Sequence, residues 1–179
     1  MIMMFNICLI GSIPKGDDIR KDWIDWKTQY KIVLSKLDNV KFIDGDNWKD
    51  ETKPFLLFGH DSNLIKTSDL VIVNAENKLG AGTAQEMVIA KYFTKPVITI
   101  LPKDTHHRRS NIIFDGTLID DWIHPFLFSM SDQVVENIED SVSLIKEYMT
   151  GLSNRKIKDI TIIDEAITAY LEYSNKDIN

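Results

Sequence analysis

The sequence contains a single cysteine, Cys8, and only eight glycines and five prolines among its 179 residues. One cysteine excludes an internal disulfide and suits a reducing compartment. Basic residues are not in excess either, since 21 lysines and arginines stand against 27 aspartates and glutamates, for a net charge of -6. Because this balance offers little to neutralise a phosphate backbone, we expect no nucleic-acid partner.

Long hydrophobic runs are also missing from the sequence. The apolar start at residues 1–11 is too short to span a bilayer, and it lacks the basic segment of a signal peptide. We interpret it as the first core strand and predict a soluble, cytoplasmic protein with no membrane partner. A hydrophobic content of 44% is enough for one well-cored domain, which we place at residues 1–150, with a helical extension at 151–179.

Short apolar runs alternate with helix-like periods along the chain. This alternation predicts an α/β fold, a doubly wound and largely parallel five-stranded sheet with helices on both faces. The predicted strands cover residues 5–10, 40–43, 70–73 and 97–101, with a fifth beginning after a turn at 121–129. The predicted helices cover residues 17–37, 55–66, the stretch after Gly82, 134–149 and 158–173.

The stretch 68–101 has the order strand, glycine turn, helix, strand, which is typical of a parallel βαβ unit. Its ligand edge is expected where the strands end, at Gly80 and Gly82. The turn has neither the third glycine of a dinucleotide fingerprint nor the lysine of a P-loop. It does allow a ligand to approach backbone amides at a helix N-terminus, so we predict that both glycines contact substrate.

Glu86 follows this turn, in what the sequence predicts to be the first turn of the helix. Thr83 and Glu86 match a capping box, in which the glutamate accepts from the threonine amide. The same position also suits catalysis, because a helix N-terminus keeps a carboxylate ionised, as a nucleophile must be. Spacing alone leaves both roles open.

Two aspartates precede the third strand, Asp61 and Asp69. Asp61 is placed to reach the same sheet edge as Glu86, and paired carboxylates flanking a glycosidic bond are a known catalytic arrangement. Asp69 also suits a turn or strand-entry role.

Aromatic and basic residues form two further groups. Trp23 and Trp26 suit core or subunit contacts better than a ligand platform. The run 106–109, His-His-Arg-Arg, suits a solvated loop, although its arginines also offer a grip on a phosphate. No cysteine or carboxylate spacing completes a zinc site, so we predict no metal.

The ordered set His60-Asp61, Ser68-Asp69-Leu70, Gly80-x-Gly82 and Glu86-Met87-x-x-Ala90 resembles the nucleoside 2-deoxyribosyltransferase family over roughly residues 5–116. The resemblance implies a flavodoxin-like fold and a homo-oligomer, a dimer or a multiple of dimers. It implies that Glu86 attacks C1′ of a 2′-deoxynucleoside and holds the sugar until another base accepts it, with Asp61 assisting the base. The substrates would be a small deoxynucleoside or deoxynucleotide and a free nucleobase, and no cofactor would be needed.

The same resemblance assigns further positions. Asp69 would contact substrate, and Asn111 would reach the sugar in the site of an adjacent subunit. The family's tyrosine near the end of the first strand is replaced here by Cys8.

A sister group, the 2′-deoxynucleoside 5′-monophosphate N-hydrolases, is similar at Gly11-Ser12-Ile13. There this turn holds a phosphate with basic residues nearby, and Lys15 and Arg20 are placed to do so here. We therefore include Gly11, Ser12 and Lys15 among the substrate-binding residues. We favour base exchange over hydrolysis and keep open a non-catalytic nucleotide-sensing domain on the same fold, with a flavodoxin-like redox protein as a weaker possibility.

Overall fold

The computed structural model of the protein describes residues 4–47, 50–151 and 153–176. Residues 1–3 of the predicted apolar start, and residues 152 and 177–179 of the predicted extension, lie outside these ranges. No helix in the described ranges is both long enough and apolar enough to cross a membrane.

Five parallel strands form the central sheet, in the order β2-β1-β3-β4-β7. This is the flavodoxin-like order, and it places a topological switch point between β1 and β3. The predicted doubly wound, five-stranded parallel sheet is therefore confirmed. The strands are β1 (Phe5–Gly11), β2 (Val40–Ile43), β3 (Leu70–Asn74), β4 (Val97–Ile100) and β7 (Gln133–Val135), and a separate antiparallel pair consists of β5 (Arg108–Phe114) and β6 (Thr117–Ile123).

Helices cover both faces of the sheet, as predicted. Successive residues of β1 show this, because Ile7 belongs to the core cluster on one face and Cys8 to the cluster on the other. A strand buried on both faces is largely apolar, and all five residues of β3 are buried, four of them apolar and the last Asn74. The helices are α1 (Asp17–Arg20), α2 (Trp26–Leu34), α3 (Pro54–Thr67), α4 (Ala81–Tyr92), α5 (Pro125–Met130), α6 (Ile138–Thr150) and α7 (Ile162–Lys176).

The predicted helix over 17–37 is wrong in one respect, because the structure divides it into α1 and α2. Asp25 accepts a hydrogen bond from the Lys27 amide at 3.0 Å and begins α2 as an N-cap residue. The apolar residues at 19 and 23 share a helical period with α2, but the cap starts a new helix at Trp26.

The region between β4 and α6 differs most from the prediction. Instead of a loop to 111 and a turn at 121–129 leading into the fifth strand, the chain forms the β5–β6 hairpin and then α5. Asp115 and Gly116 have φ of 50° and 77°, as the two central residues of a type I′ turn require. The fifth parallel strand lies later, at β7.

The C-terminal segment has the predicted helices with shifted starts. Asn137 caps α6 by accepting from the Asp140 amide, and Gly151 ends it in the left-handed conformation at φ 66°. Lys158 Nζ then donates to the Ser131 carbonyl at 2.7 Å and holds the segment before α7 against the domain. The boundary at residue 150 stays a prediction.

Candidate active site

A cleft of about 1140 Å³ opens at the carboxyl end of β1, beside α3 and α4. Ligands of open α/β sheets bind at this edge, near the switch point. Seven of the nine residues predicted from the sequence line the cleft: Gly11, Ser12, Lys15, Asp61, Gly80, Gly82 and Glu86.

Glu86 projects from the second turn of α4, because the helix begins at Ala81 with Gly80 as its N-cap. The predicted capping box is therefore wrong. Thr83 lies inside the helix with its side chain buried, so its amide is not the start of the helix and Glu86 is not its cap. The first-turn position expected for Glu86 is corrected to the second turn.

Burial controls the charge of Glu86. The pKa of its carboxyl is raised from 4.5 to about 7, mainly by desolvation, further by the nearby Asp61, and with opposition from Lys15. The expectation that the helix dipole keeps Glu86 ionised is thus wrong, because desolvation dominates. A carboxylate with a pKa near neutrality, placed in a cleft, is typical of functional sites.

Asp61 reaches the cleft from α3, and its orientation is set by two neighbours. His60 Nδ1 lies 2.9 Å from Asp61 Oδ1. The backbone of Gly45 passes so close that a Cβ at this position would lie 3.0 Å from Asp61 Oδ1. The Asp61 carboxylate is therefore held between a ring nitrogen and a backbone that only glycine brings this near.

Cys8 lies in the lining of the cleft, on β1, and is 2% exposed. Burial raises the pKa of its thiol strongly, and the negative charge of Glu86 raises it further. The thiol therefore stays protonated and neutral, and it contributes an apolar surface beside the Glu86 carboxyl.

The turn after β1 is fixed by Gly11 and Ser12. A Cβ at Gly11 would lie 2.6 Å from the Trp26 ring, so glycine allows this ring to pack against the strand end. Ser12 Oγ donates to the Lys78 carbonyl at 2.8 Å and accepts from the Gly80 amide at 3.0 Å. The turn is thereby joined to the start of α4.

Charged side chains make the cleft acidic. Lys15 is partnered at 2.8 Å by Glu51, an exposed pair, and Arg20 Nε donates to the Pro14 carbonyl at 2.8 Å. The charged lining residues are Lys15, Arg20, Asp17, Asp46, Glu51, Asp61 and Glu86.

Two of the predicted substrate-binding residues lie elsewhere in this chain. Asp69 precedes β3, at the opposite end of the sheet from the cleft, and its Oδ2 accepts from the Asn6 amide at 2.7 Å. This position gives no support to substrate binding and agrees with strand entry. Asn111 lies exposed on β5 with φ 51°, in the hairpin rather than the cleft.

The basic run at 106–109 is only partly solvated, because His107 and Arg108 are buried while His106 and Arg109 are exposed. Arg108 donates from Nε and Nη2 to the two carboxylate oxygens of Asp121, at 2.8 and 2.6 Å, within the β5–β6 hairpin. This contact raises the pKa of the Arg108 guanidinium. His107 Nε2 accepts from the Leu79 amide at 3.0 Å, and burial lowers the pKa of the ring, so it serves as a neutral acceptor.

Sequence reasoning missed Asp46, which lines the cleft and pairs with the fully buried Lys27. Lys27 also lies about 6 Å from the ring centroids of Trp23 and Trp26, at 5.9 and 6.0 Å. A lysine in the first turn of a helix is ordinarily a surface residue, so nothing in the sequence marks it as buried.

No family model and no curated protein matches the sequence. Among solved structures, the chain is similar to a 2-deoxyribosyltransferase from the psychrotolerant bacterium Bacillus psychrosaccharolyticus, with 15% identity, 76% of this chain and 90% of that chain covered, and a TM-score of 0.50. It also matches a CMP N-glycosidase from Clostridium botulinum at 14% identity and a TM-score of 0.44, over 79% of this chain and 98% of that one. The first likeness shows the fold.

Proposed function

We propose that the protein is an enzyme that cleaves the N-glycosidic bond of a 2′-deoxynucleoside and transfers the deoxyribosyl group to another base. The observation that carries the proposal is the Glu86 carboxyl, half-buried near Asp61 in a cleft at the switch point, with its pKa raised to about 7. The fold shared with a 2-deoxyribosyltransferase supports it.

In the proposed reaction, a Glu86 carboxylate oxygen attacks C1′ through an oxocarbenium-like transition state. The C1′–N bond breaks, its electron pair leaves with the base, and the base takes up a proton. A nitrogen of the acceptor base then attacks C1′ of the glutamyl ester, which restores the Glu86 carboxylate. A neutral thiol at Cys8 and the apolar wall around it favour this exchange, because charge that is poorly solvated reacts more readily.

We assign Asp61 the role of interacting with the leaving base. Its orientation is fixed by His60 at 2.9 Å, and its charge contributes to the raised pKa of Glu86. Because Asp61 carries a charge beside Glu86, it orients the leaving base by accepting a hydrogen bond from one of its N–H groups, and solvent supplies the proton that the base takes up.

The charge of the cleft favours an uncharged nucleoside over a nucleotide. Its five carboxylates exceed its two cations, and Lys15 already pairs with Glu51. The second candidate is a 5′-monophosphate N-hydrolase, which the position of Lys15 and Arg20 in the cleft favours. Water would then take the place of the acceptor base.

We also propose that the protein acts as a homo-oligomer. The β5–β6 hairpin, which carries Asn111, exposes the apolar side chains of Ile113, Phe114 and Leu118. A second copy packed on this hairpin would cover them and bring Asn111 towards a neighbouring cleft.

The test is incubation of the purified chain with a deoxynucleoside and a second free base, and separately with deoxynucleoside 5′-monophosphates. We expect a new deoxynucleoside from the first mixture. Free base and deoxyribose 5-phosphate from the second mixture alone would favour the hydrolase. Release of base from neither would overturn the enzymatic proposal.

Glu86→Gln separates an enzyme from a ligand sensor. We expect the variant to retain deoxynucleoside binding and to lose at least 1000-fold in turnover, since a neutral amide is a poor nucleophile. Mass spectrometry of the wild-type chain mixed with substrate should show a deoxyribosyl adduct on Glu86. An adduct on another residue would contradict the assignment.

A further inference from the structure

A second cavity, of about 380 Å³, lies at the same sheet edge as the cleft, against the opposite side of the turn after β1. It shares only Ser12 and Ile13 with the cleft, since the α2 side of the molecule supplies the rest of its lining. We call it the tryptophan cavity, and its lining residues are Ser12, Ile13, Pro14, Trp23, Ile24, Trp26, Asn74 and Asn77.

The two cavities differ in their chemistry. The described residues around the tryptophan cavity include no charged side chain, whereas the cleft carries seven. An uncharged lining of this kind selects a neutral ligand, because a buried ion would lose hydration without gaining a partner. The volume lies within the ordinary range for small-molecule sites, roughly 300–1000 Å³.

Two indole rings give the tryptophan cavity an aromatic wall whose geometry is fixed. Trp26 Nε1 donates to the Ser12 carbonyl at 3.2 Å, and the Trp26 ring packs edge-on to Tyr30 with centroids 5.0 Å apart. The Lys27 ammonium lies near both indole rings, at 5.9 and 6.0 Å from their centroids. Preorganised aromatic rings of this kind stack on planar heterocycles.

Two carboxamides supply the polar part of the same wall. Asn74 is only 6% exposed, and its Oδ1 accepts from the Glu76 amide at 3.2 Å. The Asn74 side chain lines the cavity, and its amide nitrogen is a donor suited to a ligand with acceptor atoms on its edge. Asn77 is exposed at the rim and offers a second amide.

We infer that the tryptophan cavity is a binding site for a neutral planar heterocycle with acceptor atoms on its edge, the chemistry of a free purine or pyrimidine base. Indole faces contact its ring, and Asn74 and Asn77 contact its edge. This inference does not rest on the proposed function, since the cavity lies outside the cleft that holds Glu86. The bound heterocycle would contact the turn that Ser12 ties to α4.

The first test uses free adenine and tryptophan fluorescence. In a chain carrying Trp48→Phe and Trp122→Phe, only Trp23 and Trp26 emit, and both line the tryptophan cavity. We expect adenine to quench this emission with a saturable curve. Quenching that stays linear in adenine concentration is collisional and would overturn the inference.

The second test distinguishes the two cavities by calorimetric titration with adenine. Asn77→Ala changes an exposed residue, so its fold should be retained, and we expect it and Trp23→Ala to weaken binding at least tenfold. Gly82→Leu is the control, because Gly82 lines the cleft and not the tryptophan cavity, and a Cβ there meets nothing within 4 Å.

Adenine affinity for the tryptophan cavity should be unchanged in Gly82→Leu, as measured by quenching in the two-tryptophan background. Loss of saturable quenching in that variant would place adenine in the cleft and contradict the inference. Absence of deoxyribosyl transfer, by contrast, would contradict only the proposed function and would leave this binding result standing.

Discussion

Ser12 Oγ accepts a hydrogen bond from the Gly80 amide at 3.0 Å and so joins the end of β1 to the N-cap of the helix that carries Glu86. The same oxygen donates to the Lys78 carbonyl at 2.8 Å. One hydroxyl therefore satisfies both a donor and an acceptor of the loop before α4, and it fixes the distance between the two walls of the cleft.

Ser12→Ala should loosen this loop without unfolding the domain. Loss of the two hydrogen bonds is worth about 1–2 kcal/mol, and we expect kcat/KM for deoxyribosyl transfer to fall at least tenfold because α4 is no longer held in register. Ser35→Ala is the matched control, since Ser35 Oγ makes one hydrogen bond, to the Ile32 carbonyl, after α2. Equal activity of the two variants would contradict the role given to Ser12.

The pH dependence of transfer should report the ionisation of Glu86. Only the carboxylate attacks C1′, and the pKa of Glu86 is raised to about 7. We therefore expect log kcat/KM to rise with pH by one unit per pH unit below about 7 and to level off above it. Rates of the wild-type chain between pH 5 and pH 9 give the profile.

Asp61→Asn supplies a second measurement on the same group. The Asp61 charge raises the pKa of Glu86, so its removal should shift the acid limb of the profile to lower pH, even though the rate itself falls. A limb that does not move would show that the observed ionisation belongs to another group.

Glu86→Gln should stabilise the folded protein at high pH. The carboxyl has a pKa of about 7 when folded and near 4.5 when unfolded, so the folded state holds its proton longer and wild-type stability falls as pH rises from 4.5 to 7. The shift corresponds to at most roughly 3 kcal/mol, and we expect the variant to gain about 1–3 kcal/mol at pH 8 and little at pH 4. Urea unfolding at the two pH values measures this difference.

Glu51→Gln is the control for that measurement, because Glu51 also lines the cleft but is exposed. Its effect on unfolding should stay within about 0.5 kcal/mol at either pH. A loss of stability in Glu86→Gln would instead match the capping box that the sequence suggested and the structure lacks.

The parts of the fold that were predicted correctly depend on local pattern. The strand Leu70–Asn74 is apolar and mostly β-branched up to Asn74, and such a run belongs to a buried parallel sheet in almost any context. Val40–Ile43 is less apolar, with Lys41 exposed, as suits a strand at the edge of the sheet. Asp61 and Glu86 were expected in one site because Asp61 was placed to reach the sheet edge at which the helix of Glu86 begins. That expectation concerns topology, which the order of elements along the chain largely decides.

The parts that were missed depend on tertiary contacts or on a turn signal that was not used. The raised pKa of Glu86 follows from desolvation and from the Asp61 charge. Both depend on how α3 packs beside α4, which the residue pattern of a single helix does not show. Asp69 precedes its strand, so it lies at the other end of the sheet from Glu86, although linear spacing suggests proximity. The Asp115-Gly116 pair was a hairpin signal, but the polar residues before it favoured a loop.

Gly11→Ala and Gly59→Ala test whether the Trp26 ring defines the turn at the cleft. A Cβ at Gly11 would lie 2.6 Å from Trp26 Cζ2, so the ring or the strand must move, and we expect a loss of about 1–3 kcal/mol in the free energy of unfolding. A Cβ at Gly59, in the exposed interior of α3, meets nothing within 4 Å, and alanine there should add about 0.5–1 kcal/mol. Because both changes restrict the unfolded chain equally, the opposite signs report the contacts of the new Cβ, of which the Trp26 ring is the nearest and the Asn74 Cβ, at 3.0 Å, the next. Denaturant unfolding of both variants measures the difference, and a Gly11→Ala chain as stable as Gly59→Ala would show that Trp26 is free to move away.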